Sequence, residues 1–388
     1  MSKQSFRIRQ QNEFPKSILH GGITCFFSLL LVACQPFTPE KVFEPDYFDL
    51  QIPTYFPNQL SVPSDNRLSI QGVLLGRYLF YEGYLSGRRS TDSLMCCASC
   101  HLQSHAFESG MDNPYYVGGK MRGLKGGITP HSMLPLINVA FNKEAYGWNG
   151  AVEPMAKNIE DIVKASLTDP NEIAGNLDSI VARIASIPLY PPLFEAAFGS
   201  PQVTVDRICK AIAQFVRTLV SSNSRFDRYT RGEITLTDEE MKGYILFTTE
   251  EGADCFHCHG GSGNVLFSTY ACLNNGLDVA SNYSDPYDRF FISKNPKDKG
   301  SYRVPSLRNI EYTAPYMHDG RFTSLEQVID QYSEQLHYSP NISPLMHHVK
   351  DSGVQLTAYE KTCLKSFLLS LSDPNFLTDP NYGKPKSK

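Results

Sequence analysis

Two short stretches of the sequence carry the same arrangement of thiols and imidazole. Each reads Cys-x-x-Cys-His, and the residues are Cys97, Cys100 and His101, then Cys255, Cys258 and His259. Two thiols at this spacing can form thioethers to both vinyl groups of one porphyrin, and the histidine that follows points a ring nitrogen at the iron. Zinc clips and disulfides also use Cys-x-x-Cys, but zinc would usually need a second Cys/His pair nearby. The sequence therefore predicts two covalently bound haem c groups with His101 and His259 as iron ligands.

The segments that must position these motifs are mostly helical in pattern. Both motifs follow a Gly-x-x-Leu-Phe sequence, at 76–80 and 243–247, which is a weak internal repeat. Capping boxes predict helices that start at Thr237, Thr323 and Thr357. Between the helical patterns lie long stretches rich in Gly, Pro and Asn, and strand signals are few. The predicted fold is mainly α, with two cytochrome c-like haem domains and long irregular loops.

An amphipathic pattern from Val205 to Leu219 ends the first half, and a polar linker follows it. We expect the domain boundary near residue 228. The predicted organisation is a lipoprotein signal peptide, a tether, an N-terminal haem c domain, a C-terminal haem c domain and a tail, at 1–33, 34–48, 49–228, 229–375 and 376–388.

The first forty residues have the features of an export signal. A basic leader precedes a short apolar run, and Leu-Val-Ala-Cys at 31–34 is similar to a bacterial lipobox. This pattern predicts cleavage before Cys34, lipid on its thiol, and an exported lipoprotein on the periplasmic side, with Gln35 favouring the outer membrane. An ordinary secretory signal is the alternative. The net charge of −4 in 388 residues gives no nucleic-acid signature.

Cysteines remain outside the haem motifs and the leader: Cys96, Cys209, Cys272 and Cys363. An oxidising compartment permits disulfides among them, but the sequence does not pair them. Cys96 is interpreted as incidental or as half of a disulfide.

Several blocks in order resemble the bacterial dihaem cytochrome c peroxidases and their relative MauG. The resemblance covers roughly 74–371 and rests on "LGRYLFYEGYLS", "CASCH", "LPLINVAFN", "YGWNG", "DPNEI", "AIAQFVRTL", "FDRYTRGE", "CFHCH", "YRVPSLRNIEYTAPYMHDG" and "TSLEQVIDQY". It implies that the His101 haem meets peroxide and that the His259 haem transfers electrons. Trp148, the only Trp, would relay electrons between the two haems; a core tryptophan is the alternative.

Glu172 matches the distal acid of the family, which would move a proton between the peroxide oxygens; a surface glutamate at a helix cap is the alternative. Ile162 stands where the family has a Gln, so the distal pocket is not a faithful copy. His131 is a candidate distal ligand of the first haem, although an open iron is preferred. His105 lies too close to the attachment loop for that role.

The residue fourteen positions after His318 is Tyr332, where the peroxidases have a Met and MauG has a Tyr. The resemblance therefore implies tyrosine ligation of the second haem. Helical spacing also fits Tyr332 as a core residue beside Leu325, Val328 and Ile329. Met317 and Met346 could bind the iron instead, but neither occupies the family position.

The resemblance further implies one calcium ion, bound by the side chain of Asn138 and the backbone carbonyls of Thr313 and Pro315. Arg308 is a candidate partner for a haem propionate, with a solvent-facing loop arginine as the alternative.

The leading hypothesis is a dihaem c-type peroxidase that reduces hydrogen peroxide to water with electrons from a small redox protein or another donor. A MauG-like oxidase of a protein or organic substrate is the second hypothesis. A non-catalytic electron-transfer cytochrome is the third. The membrane would be contacted through the lipid anchor alone, and the resemblance allows a homodimer.

Overall fold

In each half of the chain, the helix that precedes a haem motif packs against a later helix at a glycine. α1 (Ile70–Phe80) packs against α6 (Val205–Arg217), and α8 (Asp238–Phe247) packs against α12 (Ala358–Leu369). A Cβ added at Gly76 would lie 1.8 Å from the carbonyl oxygen of Ala211, and one at Gly243 would lie 2.0 Å from that of Cys363. Glycine is required at both positions because a side chain would collide with the facing backbone. The Gly-x-x-Leu-Phe repeat therefore marks equivalent helix contacts.

The computed structural model describes residues 43–87, 94–142, 145–151, 155–261, 263–279 and 285–386. Cys34 and the proposed export signal lie outside these residues. The remaining helices are α2 (Cys97–Cys100), α3 (Ile159–Thr168), α4 (Leu177–Ala185), α5 (Tyr190–Phe198), α7 (Arg225–Thr230), α9 (Phe256–His259), α10 (Arg289–Ser293) and α11 (Leu325–Glu334). Among the described residues, no helix is long and apolar enough to cross a membrane.

Strands are few among the described residues, as the sequence predicts, and each is two residues long. β1 (Tyr116–Val117) pairs antiparallel with β2 (Lys120–Met121), and β3 (Cys272–Leu273) pairs antiparallel with β4 (Tyr302–Arg303). Irregular segments and short 3-10 helices connect the α-helices, which confirms the mainly α class.

The buried apolar side chains form two main clusters. One contains side chains from α1 and α3 to α6, and the other contains side chains from α7, α8, α11 and α12. Phe226 of α7 packs in the second cluster, so the chain near 228 contacts the C-terminal half. Phe376 returns to the first cluster, where its ring centroid lies 5.9 Å from that of Phe107. The C-terminal segment thus packs against the first half.

Two of the predicted capping boxes are present, at Thr237 with Glu240 and at Thr357 with Glu360. The third was placed one residue early. The cap of α11 is Ser324, whose hydroxyl accepts from the Gln327 amide while the Gln327 side chain accepts from the Ser324 amide. Thr323 instead donates its backbone N–H to the same glutamine oxygen at 2.7 Å.

Candidate haem centres

The first attachment motif presents its histidine in a fixed orientation. His101 follows α2, and its Nδ1 lies 2.7 Å from the carbonyl oxygen of Phe107. That carbonyl is turned back by left-handed backbone at Ala106 and Phe107, with φ of 52° and 61°. An Nδ1–H donated to a carbonyl leaves Nε2 with its lone pair for a metal. Burial lowers the pKa of His101 to about 4, which keeps the ring neutral as iron ligation requires.

The second motif repeats this arrangement. His259 ends α9, and its Nδ1 lies 3.1 Å from the carbonyl oxygen of Phe267, where the backbone is again left-handed with a φ of 49°. Burial lowers the pKa of His259 to about 4, against the opposing effect of the Phe267 and Pro305 carbonyls. Two thiols and one oriented neutral imidazole at each centre are the donor set that haem c uses. The residues present therefore fit two haem c groups.

A large apolar cavity adjoins the second motif. Cys255, Cys258 and His259 lie on one wall, and the apolar face of α11 supplies Leu325, Val328 and Ile329. A cavity with mostly apolar walls next to oriented donors suits the porphyrin ring.

Tyr332 also borders this cavity, in the part of α11 that the sequence predicts for an iron ligand. Its hydroxyl accepts a hydrogen bond of 2.8 Å from Nδ2 of Asn275, and burial raises its pKa. The Cys255 and Cys258 side chains lie close enough for their charge to raise that pKa further. Met317 and Met346, the alternative iron ligands, line the same cavity as Tyr332. The ligand role of Tyr332 remains a prediction.

Trp148 lines the same cavity. Its indole Nε1 donates to the carbonyl of Ser132 at 2.9 Å, and its own carbonyl accepts from the backbone N–H of Arg303 at 2.7 Å. Arg303 is buried in the cavity wall, with its Nε donating to the carbonyl of Gly147 at 2.9 Å. These contacts hold the indole against Ser132 and the Trp148 backbone against β4. The backbone near Trp148 is thereby tied to a strand that borders the second centre.

A polar network beside Trp148 contains residues that sequence reasoning missed. Asp285 accepts from Tyr302 Oη at 2.7 Å and lies 2.7 Å from Nε2 of His131. The ring of Tyr302 stacks on His318, with centroids 3.7 Å apart. The only sequence signal for this network was His318 in the "HDG" block. Asp285 is distant in sequence from both histidines, so no local pattern indicates its contacts. The contact with Asp285 engages Nε2 of His131, and the open first iron remains a prediction.

Glu172 lies at the first centre, in the turn after α3. Burial raises its pKa, Ser166 donates to it, and its charge raises the pKa of the Cys97 and Cys100 thiols. The sequence-predicted acid is therefore brought beside the first attachment motif. Ile162 of α3 packs against the first apolar cluster. An isoleucine cannot form the hydrogen bonds of the glutamine that the family has at that position.

Arg308 makes a contact other than the one predicted. Its guanidinium donates to both carboxylate oxygens of Asp227, at 2.6 and 2.8 Å, and its Nε donates to the carbonyl of Val265 at 2.6 Å. Both side chains are about 1% exposed. Arg308 is therefore a buried ion-pair partner and not a solvent-facing loop arginine, and the propionate contact remains a prediction.

The side chain of the predicted calcium ligand Asn138 is engaged with the backbone of Ser221. Asn138 donates Nδ2 to the Ser221 carbonyl at 3.1 Å and accepts the Ser221 N–H at 3.0 Å. Thr313 and Pro315 border the second cavity. With both amide atoms of Asn138 engaged in a backbone pair, calcium remains a prediction.

No disulfide forms among the cysteines in the part of the chain that the structure describes. Cys209 and Cys363 are buried singly in α6 and α12, where each packs in a different apolar cluster. The Cys96 thiol lies 3.6 Å from Ser99 Oγ and has an incidental capping role.

Two centres of this kind in a mainly α chain define a dihaem cytochrome. Residues 70–235 match the family described as di-haem cytochrome c peroxidase. The cytochrome-c peroxidase IdrP1 of Pseudomonas sp. (strain SCT) is 32% identical over 82% of this chain and 86% of its own length. The methylamine utilization protein MauG of Methylorubrum extorquens is 30% identical over 84% of this chain and 85% of its own length. The chain therefore belongs to the dihaem cytochrome c peroxidase and MauG family.

A solved structure has the same fold. It is a MauG-like protein associated with microbial copper homeostasis, 33% identical, with a TM-score of 0.74 over 87% of this chain and 99% of that one. Both peroxidases and MauG proteins are similar to this chain, so family membership establishes a dihaem oxidoreductase and leaves its specific reaction open.

Proposed function

We propose that this protein is a peroxide-dependent dihaem oxidoreductase that reduces hydrogen peroxide to water at the first centre. The observation that carries the proposal is the position of Glu172, a half-buried carboxylate beside the Cys97 and Cys100 thiols. Haem at this centre would supply the iron on which the peroxide O–O bond is broken. An electron carrier has no need of a carboxylate at that position.

Glu172 would act on protons. A carboxylate beside the iron can accept the proton of the inner peroxide oxygen and donate it to the outer oxygen, which leaves as water. Its raised pKa brings it closer to the working pH and makes the return of the proton easier. Ser166 would orient the carboxyl through its hydrogen bond.

Trp148 would carry electrons from the second centre to the first. Its hydrogen bond to Ser132 and its backbone contact with Arg303 hold the indole in one position at the second cavity. The proposed electron source is a small redox protein or another donor that docks near the second haem. Two electrons and two protons per peroxide give two molecules of water.

A second candidate is a MauG-like oxidase that directs the oxidising equivalents at a protein or organic substrate. Tyr332 favours it, because an anionic oxygen ligand stabilises oxidised iron and makes the second haem a poor high-potential reservoir. Asn275 supports this role by donating to the phenol oxygen.

The remaining parts of the proposal concern location and assembly. We keep export and lipid attachment at Cys34 as proposals, together with the calcium ion and a homodimer. Palmitate labelling in the bacterial host, with Cys34→Ser as control, tests the anchor.

The test is to add one equivalent of hydrogen peroxide to the fully oxidised protein and to the one-electron-reduced protein, and to follow absorption and EPR. Reaction only after half-reduction supports the peroxidase with a gated first centre. Reaction of the oxidised form, with both haems changed, supports the MauG-like candidate. Silence in both states would overturn both and leave an electron-transfer cytochrome.

A further inference from the structure

We infer that Glu250, His257 and His347 form a binding site for a divalent transition-metal ion next to the second haem-attachment motif. One ligand atom from each residue lies within 4.8 Å of the others. Among the described residues, these are the side chains of histidine and carboxylate type that lie close enough together to bind one ion. It uses neither His259 nor Tyr332, and so it is separate from the haem ligands.

A buried carboxylate orients His257 and lies beside His347. The Asp254 side chain is only 6% exposed, and its Oδ1 lies 2.5 Å from His257 Nδ1 while its Oδ2 lies 3.5 Å from His347 Nδ1. Left-handed backbone at Asp254, with a φ of 55°, turns the carboxylate towards both rings. A histidine that binds a metal commonly donates its other nitrogen to a carboxylate, which fixes the ring and makes the ligand more basic.

The ligand atom of His257 is thereby defined. With Nδ1 held by Asp254, Nε2 is the nitrogen that faces the other ligands, and it lies 3.5 Å from Oε1 of Glu250. Since that separation is longer than an ordinary hydrogen bond, the two atoms can contact a common ion with little movement. The His257 and His347 rings meet edge to face with centroids 4.8 Å apart, which keeps both imidazoles on one side of the site.

The chemistry of these groups selects the ion. Two imidazoles and one carboxylate suit borderline metals such as Zn²⁺ and Cu²⁺ rather than Ca²⁺ or Mg²⁺, and Cu²⁺ should bind more tightly than Zn²⁺. Glu250 and His347 are exposed, so an ion can enter from solvent and water can complete its coordination. The carboxylates of Glu250 and Asp254 offset the charge of the ion.

The site lies next to the second haem-attachment motif, so a bound ion should affect the second haem. Asp254 precedes Cys255 in sequence, and Asp254 and His347 both line the second cavity. A bound dication would add positive charge beside that haem and stabilise its reduced form. Metal occupancy should therefore raise the reduction potential of the second haem while leaving the first haem unchanged.

The experiment uses the dihaem protein purified without a polyhistidine tag, with Zn²⁺ and Cu²⁺ as probes. We expect about one equivalent of each ion to bind in isothermal titration calorimetry, and His347→Ala and Glu250→Gln to weaken binding at least about tenfold. His337→Ala is the matched control, because His337 is an exposed histidine in the same half and lies outside the cluster. Haem absorption of each variant verifies folding and loading.

Two further readouts separate this site from adventitious binding. Cu²⁺ EPR should show nitrogen coupling that is lost in His347→Ala and kept in His337→Ala. Zn²⁺ should raise the potential of the second haem in the native protein and fail to do so in His347→Ala. Equal binding by the native protein and both cluster variants, or loss of binding in His337→Ala alone, would overturn the site.

Discussion

The hydroxyl of Tyr332 accepts a hydrogen bond of 2.8 Å from the side-chain amide of Asn275, at the cavity that contains Cys255, Cys258 and His259. The two residues are 57 positions apart and come from different segments, so the pair exists only in the folded chain. It holds the phenol oxygen at the wall of the cavity that adjoins the second attachment motif.

Replacement of Tyr332 by methionine tests its ligand role. A phenolate favours oxidised iron and a thioether favours reduced iron, so Tyr332→Met should raise the potential of the second haem by on the order of 100 mV or more. Spectroelectrochemical titration measures this. Tyr332→Phe is the control that removes the oxygen without adding sulfur, and unchanged potentials in both variants would identify Tyr332 as a core residue.

Glu172→Gln should slow the reaction with peroxide. The amide keeps the size of the side chain but cannot accept the proton, so the second-order rate constant should fall by roughly 10²–10⁴-fold. Stopped-flow absorption at the first haem measures it. Glu195→Gln on the exposed face of α5 is the matched control, and a loss below about threefold in Glu172→Gln would exclude Glu172 as the proton carrier.

Trp148→Phe should separate the first chemical step from electron delivery. The first reaction of peroxide should keep its rate, whereas turnover with an external donor should fall because the relay between the haems is removed. Single-turnover and steady-state measurements on the same preparation distinguish these steps. Equal turnover in the variant and the native protein would make Trp148 a core residue only.

The buried pair of Arg308 and Asp227 should matter for stability and little for the haems. Loss of one partner leaves an uncompensated buried charge, so Asp227→Asn should lower the free energy of unfolding by about 3–5 kcal/mol. Arg308→Lys should also destabilise the protein, because one ammonium cannot replace the paired guanidinium donors. Urea unfolding of the dihaem protein measures both. A shift of haem potential in Arg308→Lys at unchanged stability would restore the propionate interpretation.

Glu108 should make stability depend on pH. Burial raises its pKa from 4.5 to about 7, against the hydrogen bonds from Ser109 and Gly110 that favour the charged form. The folded state therefore holds a proton that the unfolded state has released between these values. Its stabilising contribution is fully present below about pH 4.5 and is lost as pH rises through 7, by up to about 3 kcal/mol.

Thermal unfolding of native protein and Glu108→Gln between pH 5 and pH 8 checks this dependence. The variant should lose the part of the slope due to Glu108, even if its midpoint is lower at every pH. Parallel curves for the two proteins would show that Glu108 has an ordinary pKa.

Local chemistry is what the sequence by itself determined. The haem motifs, the capping boxes at Thr237 and Thr357 and the glycines at 76 and 243 were readable because the partners in each pattern lie within a few residues or repeat in both halves. The cap of α11 is Ser324 and not the predicted Thr323, because both residues offer a hydroxyl and each is followed by Glu or Gln three positions later.

Tertiary structure decided which distant side chains meet. Arg308 pairs with Asp227, 81 residues earlier, because a buried guanidinium is stable only when a carboxylate compensates its charge. The pairing of His131 with Asp285 and the gathering of Glu250, His257 and His347 have the same origin. The spacing of residues in the sequence does not predict such contacts, because they depend on which loops the helix pairs bring together. Burial then favours partners whose charges and hydrogen bonds are satisfied.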